Sequence, residues 1–150
     1  MSQSLSCMHT HLVFSTKHRE PRLSDAIREP LHAYMGKGLC NLGCLPQIIN
    51  SVEDHIHLLF ELGRQASISV ATEEVKKSSS KWLKGKGREF SDFAWQSGYG
   101  AFSVSESQAA RVEEYIARQA EHLHRVSFQE EYLAFIERHR IRCNERFLWD

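Results

Sequence analysis

Two pairs of residues carry side chains suited to shared chemistry: His55 with His57, and Tyr115 with Gln119. The first pair lies in Val52-Glu53-Asp54-His55-Ile56-His57-Leu58-Leu59-Phe60. In a β-strand successive side chains alternate faces, so both imidazoles point one way while Ile56 points into the core. Neighbouring neutral imidazoles can grip a divalent metal. The stretch from Arg111 to Gln119 reads as helix, which stacks Tyr115 and Gln119 on one side. A phenol oxygen can attack a phosphate and form a covalent intermediate, and a metal stabilises the charge that develops. These are the parts of a metal-assisted phosphoryl-transfer site with a tyrosine nucleophile. Spacing alone leaves Gln119 and His122 as equal candidates for a third metal ligand.

Five segments in order resemble the HUH single-tyrosine transposases, the single-strand DNA transposases of small bacterial insertion sequences and their REP-associated relatives. They are His11-Leu12-Val13-Phe14-Ser15-Thr16-Lys17, Asp54-His55-Ile56-His57-Leu58-Leu59, the run from Trp95 to Ser105, Tyr115-Ile116-Ala117-Arg118-Gln119, and Arg146-Phe147-Leu148-Trp149-Asp150. The resemblance implies an α+β fold and a metal-dependent strand transferase acting on single-stranded DNA with hairpin ends. Tyr115 would be its nucleophile, and His55, His57 and Gln119 would hold Mg²⁺ or Mn²⁺. It also implies a homodimer in which one subunit's tyrosine helix completes the other's metal site. Residues beyond that helix resemble the REP-associated group, some of which act as monomers.

The elements that must position these residues follow from periodicity and punctuation. Strands are expected at Thr10–Thr16, Leu45–Ser51, His55–Leu62, Phe93–Trp95 and Tyr99–Val104. A helical stretch from Ser24 to near Gly43 contains Pro30, which should kink it or start a second helix. Ser67 caps a helix through about Leu83. Ser105 with Gln108 reads as a capping box opening the tyrosine helix, which should run to about His124. That helix carries an apolar stripe (Ala109, Val112, Ile116, Ala120, Leu123) beside a polar one (Gln108, Arg111, Tyr115, Gln119, His122). A last helix is expected from Phe128 to Arg140, with Tyr132, Phe135 and Ile136 inward. The order predicts an α+β, ferredoxin-like (RRM-like) antiparallel sheet packed with helices, in a single domain over 1–150.

Composition narrows the function classes. With 19 basic and 19 acidic residues the formal net charge is zero, which counts against a nonspecific DNA-coating protein. The basic residues are nevertheless segregated: Lys76, Lys77, Lys81, Lys84, Lys86 and Arg88 form a run without an acid. With Lys17, His18, Arg19 and Arg111 they are the expected DNA contacts, and Trp82 among them could stack on a base. No apolar run approaches the ~20 residues of a membrane span, and no export signal opens the chain. A cytoplasmic protein with reduced thiols is expected, and Cys40 and Cys44 read as small apolar residues at a helix end.

Other candidates rank lower. His9-Thr10-His11 shares the spacing but reads as a surface or edge feature. Tyr34 and Tyr132 read as core or interface residues, and Tyr99, flanked by glycines, is the rival nucleophile. Two alternative functions remain: a non-catalytic (domesticated) nucleic-acid-binding module of the same fold, and a small zinc hydrolase, for which Glu53 is a poorly directed base.

Overall fold

A computed structural model describes residues 2–122 and 126–150. Four strands, β1 (His9–Ser15), β2 (Leu45–Ser51), β3 (His55–Glu61) and β4 (Gly100–Val104), form one antiparallel sheet in the order β2-β3-β1-β4. Helix α1 (Asp25–Asn41) joins β1 to β2, and α2 (Ile68–Lys84) joins β3 to β4. This is the ferredoxin-like arrangement the sequence predicts. Three helices follow: α3 (Ala109–Ala117), α4 (Gln119–His122) and α5 (Phe128–Arg138).

Alternation along the central strands divides the molecule. Leu12 and Phe14 of β1, with Ile56, Leu58 and Phe60 of β3, point into a dry core against Leu31, Met35 and Leu39 of α1 and Ala71, Val75 and Leu83 of α2. The intervening residues face the opposite way. There Val13 and Phe102 meet Phe128, Tyr132 and Ile136 of α5. Gly100 permits that approach: a Cβ there would lie 2.4 Å from the Tyr132 ring. Tyr132 is therefore a core residue, as expected.

Several boundaries depart from expectation. Helix α1 continues through Pro30 without dividing. Proline removes the hydrogen bond to the Ala26 carbonyl, but both residues are exposed and water can take its place. Residues 93–95 form no strand; only Trp95 bridges to Thr16. Beyond it Gln96 satisfies Ser15 from both sides, its N–H donating to the Ser15 carbonyl (2.9 Å) and its side-chain oxygen accepting from the Ser15 N–H (2.8 Å). Ser105 makes no side-chain cap: a 3₁₀ turn at Glu106–Gln108 precedes α3, and the Ser105 hydroxyl meets that of Ser107. At the start of α2 the expectation holds, with Ser67 Oγ accepting from the Val70 N–H at 3.1 Å.

The tyrosine helix ends earlier than its pattern suggests. Asn50 of β2 donates to the Ile116 carbonyl at 2.8 Å, and Arg118 leaves helical geometry at φ −100°, ψ 22°. The break turns Gln119 inward and leaves Ala120 exposed, reversing their expected stripes. Leu123 and His124 lie outside the described residues.

Candidate active site

His55 and His57 occupy the face of β3 covered by α3 and α5, and both are fully buried. Each is oriented through its Nδ1. That of His55 lies 2.7 Å from Asp54 Oδ1, and that of His57 lies 2.8 Å from His11 Nε2. Fixing Nδ1 leaves both Nε2 atoms directed at the same small volume, the arrangement by which outer partners orient metal-binding histidines. His11 is thus no surface residue; it is 2% exposed and supports His57. Register accounts for this, because Val13 pairs with His57, placing His11 diagonally beside it on the same face.

Three further side chains close the volume. Gln119, turned in by the break at Arg118, brings Oε1 to 3.3 Å from His55 Nε2. Glu131 enters from α5: its Oε1 lies 2.8 Å from His57 Nε2 and 3.5 Å from His55 Nε2. Its other oxygen accepts the Tyr115 hydroxyl and lies 3.5 Å from Gln119 Nε2. Tyr115 is half-buried at the mouth of a cleft of about 460 Å³ that His11, Arg111, Glu131 and Arg138 also line.

Charges within the site are coupled. Burial opposes a charge on His55, but hydrogen bonds and attraction from Asp54 and Glu131 prevail and raise it to about 9. Burial lowers His57 against the pull of Glu131. Burial also drives His11 well below the ordinary histidine range, reinforced by His57. Glu131 is held low: burial works against its charge, yet both histidines and the tyrosine hydroxyl outweigh that cost. Burial and then the Glu131 carboxylate push the Tyr115 phenol up.

The donor set fits a divalent metal. Ligand atoms of His55, His57 and Glu131 all lie within 4.8 Å of one another. Two imidazole nitrogens, a carboxylate and the Gln119 amide oxygen are donors common to zinc, manganese and magnesium sites. Glu131 is the functional candidate that sequence reading missed. Its signal was available: between Phe128 and Phe135 it occupies the buried side of an otherwise apolar stripe. Acidic residues in a helix's first turn ordinarily complement the helix dipole, which concealed it.

The family model of IS200-like transposases matches residues 4–119. The chain belongs to that family. Among solved structures, it is similar to a transposase-family protein of Deinococcus radiodurans R1, with 22% identity and a TM-score of 0.62, over 79% of this chain and 98% of that one. It is also similar to a REP-associated tyrosine transposase bound to a REP hairpin, with 14% identity and a TM-score of 0.59, over 79% of this chain and 72% of the other. Both share the α+β fold. A comparison with curated proteins found no match.

In this transposase the basic residues expected to contact DNA, Lys76 aside, fall in three places. Arg111 lies at the tyrosine cleft. Lys17, His18 and Arg19 form a turn leaving β1 at the end where Ser15 pairs with His55, and Arg19 lies over the Trp149 ring, 5.6 Å from its centroid. Lys77, Lys81, Lys84, Lys86 and Arg88 are exposed on or just after α2, across the sheet from the histidines. Lys76 differs from these. Its ammonium donates to the carbonyls of Gln96 (2.8 Å), Ser97 (3.3 Å) and Gly98 (2.6 Å), and burial lowers it to about 8. It holds the loop before β4 and has little left to offer a phosphate. Trp82 stacks on Tyr34 beneath Lys86. Tyr99, the rival nucleophile, lies against Lys76, away from the histidine pair. Cys44 is buried in the dry core, whereas Cys40 is exposed. No helix among the described residues is long and apolar enough to cross a membrane.

Proposed function

We propose that residues 1–150 act as one domain that cuts and rejoins single-stranded DNA through a phosphotyrosine bond to Tyr115. The observation that carries this reading is the meeting of Tyr115 with His55, His57 and Gln119, across sixty residues of chain, around one buried carboxylate. The Tyr115 oxygen attacks a backbone phosphorus and the bond to the 3′ oxygen breaks, giving a protein-linked 5′ phosphate and a free 3′ hydroxyl. Glu131, already accepting the phenol's hydrogen bond, orients the phenol oxygen, whose proton leaves to solvent as the attack proceeds while solvent supplies one to the departing 3′ oxygen. Rejoining reverses these steps: a 3′ hydroxyl attacks the phosphotyrosine and Tyr115 regains its proton. The bond energy is conserved in the covalent link, so no nucleotide cofactor is needed.

His55, His57, Gln119 and Glu131 would hold Mg²⁺ or Mn²⁺, which supplies Lewis-acid stabilisation of the phosphate's developing charge. Arg111 and Arg138, at the same cleft, are suited to a neighbouring phosphate. Lys17 and Arg19 would continue the track, and the exposed α2 lysines with Arg88 would meet DNA that passes around the sheet edge. Tyr115 reaches the histidines of its own chain, so one subunit supplies every named group. A homodimer with exchanged tyrosine helices is therefore not required by this geometry.

Labelled single-stranded hairpin pools incubated with Mg²⁺ or Mn²⁺ test the proposal on denaturing gels. Cleavage should vanish with EDTA and in Tyr115→Phe, while binding persists. Cleavage by the phenylalanine variant contradicts it, and binding without cleavage by the native chain would indicate a DNA-binding module with an idle site.

A further inference from the structure

A second group of metal-ligating side chains lies on the same sheet face, at the far end of β1. His9 is buried there, with Cys7 just before the strand and Glu106 in the 3₁₀ turn leading to α3. Their ligand atoms also lie within 4.8 Å of one another. Three residues of β1 lie between His9 and Val13, the partner of His57, so this cluster is distinct from the tyrosine site.

We propose that Cys7, His9 and Glu106 bind a zinc-class divalent cation, with water completing the coordination.

Geometry supports this in two ways. His9 Nδ1 lies 3.0 Å from Gln47 Oε1. An amide oxygen only accepts, so Nδ1 carries the hydrogen and Nε2 is the atom presented to Cys7 and Glu106. In addition, a tetrahedral zinc has bonds of about 2.3 Å to sulfur and about 2.0 Å to nitrogen or oxygen, which makes its sulfur-to-nitrogen and sulfur-to-oxygen edges about 3.5 Å. Cys7 Sγ lies 3.4 Å from His9 Nε2 and 3.5 Å from Glu106 Oε2. The remaining edge is closed, because His9 and Glu106 are in direct contact. The Glu106 side chain is 77% exposed and can withdraw enough to admit an ion. A cation would take the place of the thiol proton and of any hydrogen held between imidazole and carboxylate, which leave to solvent.

Such an ion would fasten the segment before β1 to the turn that starts the tyrosine helix. It would act on that helix's anchorage, not on the phosphate.

Cobalt titration of the full chain tests the site, because a thiolate bound to Co²⁺ gives a near-ultraviolet charge-transfer band that ligands without sulfur lack. The wild-type chain and His57→Ala should both give the band, while Cys7→Ser and His9→Asn should lose it. Equilibrium dialysis with zinc should show Cys7→Ser weakening one site by at least about 100-fold, more than the 10–100-fold typical of outer-shell changes. Cys7 is exposed, so its serine variant should melt as the wild type does in the absence of metal. No band in the wild type, or a band that persists in Cys7→Ser, overturns the proposal. Failure of this site leaves the strand-transfer reading intact, since that reading is tested by DNA cleavage.

Discussion

The two faces of one sheet differ more than any two elements of this protein. On β1 and β3, Leu12, Phe14, Ile56, Leu58 and Phe60 enter a close-packed apolar core, while His11, His55 and His57, one residue out of step, enter a polar one. Both sets are buried, and the backbone is shared. Stability on the first face comes from removing apolar surface from water. On the second, each buried imidazole needs a partner: Asp54 and Gln119 meet His55, Glu131 meets His57, and His57 meets His11. The first face can therefore be perturbed through packing and the second through charge and ligation, with little exchange between the two.

Substitutions should separate them. The largest expected effect is on the polar face: Tyr115→Phe should lower strand cleavage by at least about 1,000-fold while shifting unfolding free energy by less than about 1 kcal/mol. Parallel gel and denaturant measurements check both halves. On the dry face Leu58→Ala should reverse the pattern, costing about 3 kcal/mol of stability by urea unfolding and leaving cleavage per folded molecule nearly unchanged. Glu131→Gln keeps the shape of the site and removes its charge. It should weaken Mn²⁺ binding by more than about 100-fold, beyond the 10–100-fold of outer-partner changes, read by calorimetry.

The smallest effect concerns His32 of α1, on the dry side of the sheet. Its Nε2 lies 2.7 Å from Ser51 Oγ, and burial, then Arg28, lowers it to about 4. A folded-state value below the unfolded ~6.5 means that the unfolded chain binds the extra proton between them. Its contribution is complete above about pH 6.5 and is lost as pH falls toward 4. Because the ring is only partly buried, about 1 kcal/mol is expected after solvent screening. His32→Asn should flatten the stability curve across that window by this amount relative to wild type.

How far the sequence revealed these faces depended on whether the governing interaction was local. Strand alternation located β2 and β3 within a residue and assigned His55 and His57 to one side. The four-residue spacing put Tyr115 and Gln119 on one side of a continuous helix, whereas Gln119 turns inward at a break where Asn50, on a strand distant in sequence, donates to the Ile116 carbonyl. His11 looked superficial because its burial depends on the β1–β3 register and on α5 above it. Glu131 escaped for the same reason: within its helix it is a first-turn acid, and only the sheet beneath brings its carboxylate to the histidines. The lysines of α2 show the converse, since a clustered charge run gave no indication of which layer would carry it.

The central claim is that the polar face carries a tyrosine nucleophile, and peptide mass mapping after incubation with single-stranded hairpin DNA and Mn²⁺ tests it most directly. The account predicts a nucleotide adduct on the peptide containing Tyr115, absent with EDTA and released when a 3′-hydroxyl strand is supplied. An adduct on Tyr99, or cleavage that leaves no adduct on the protein, would contradict it.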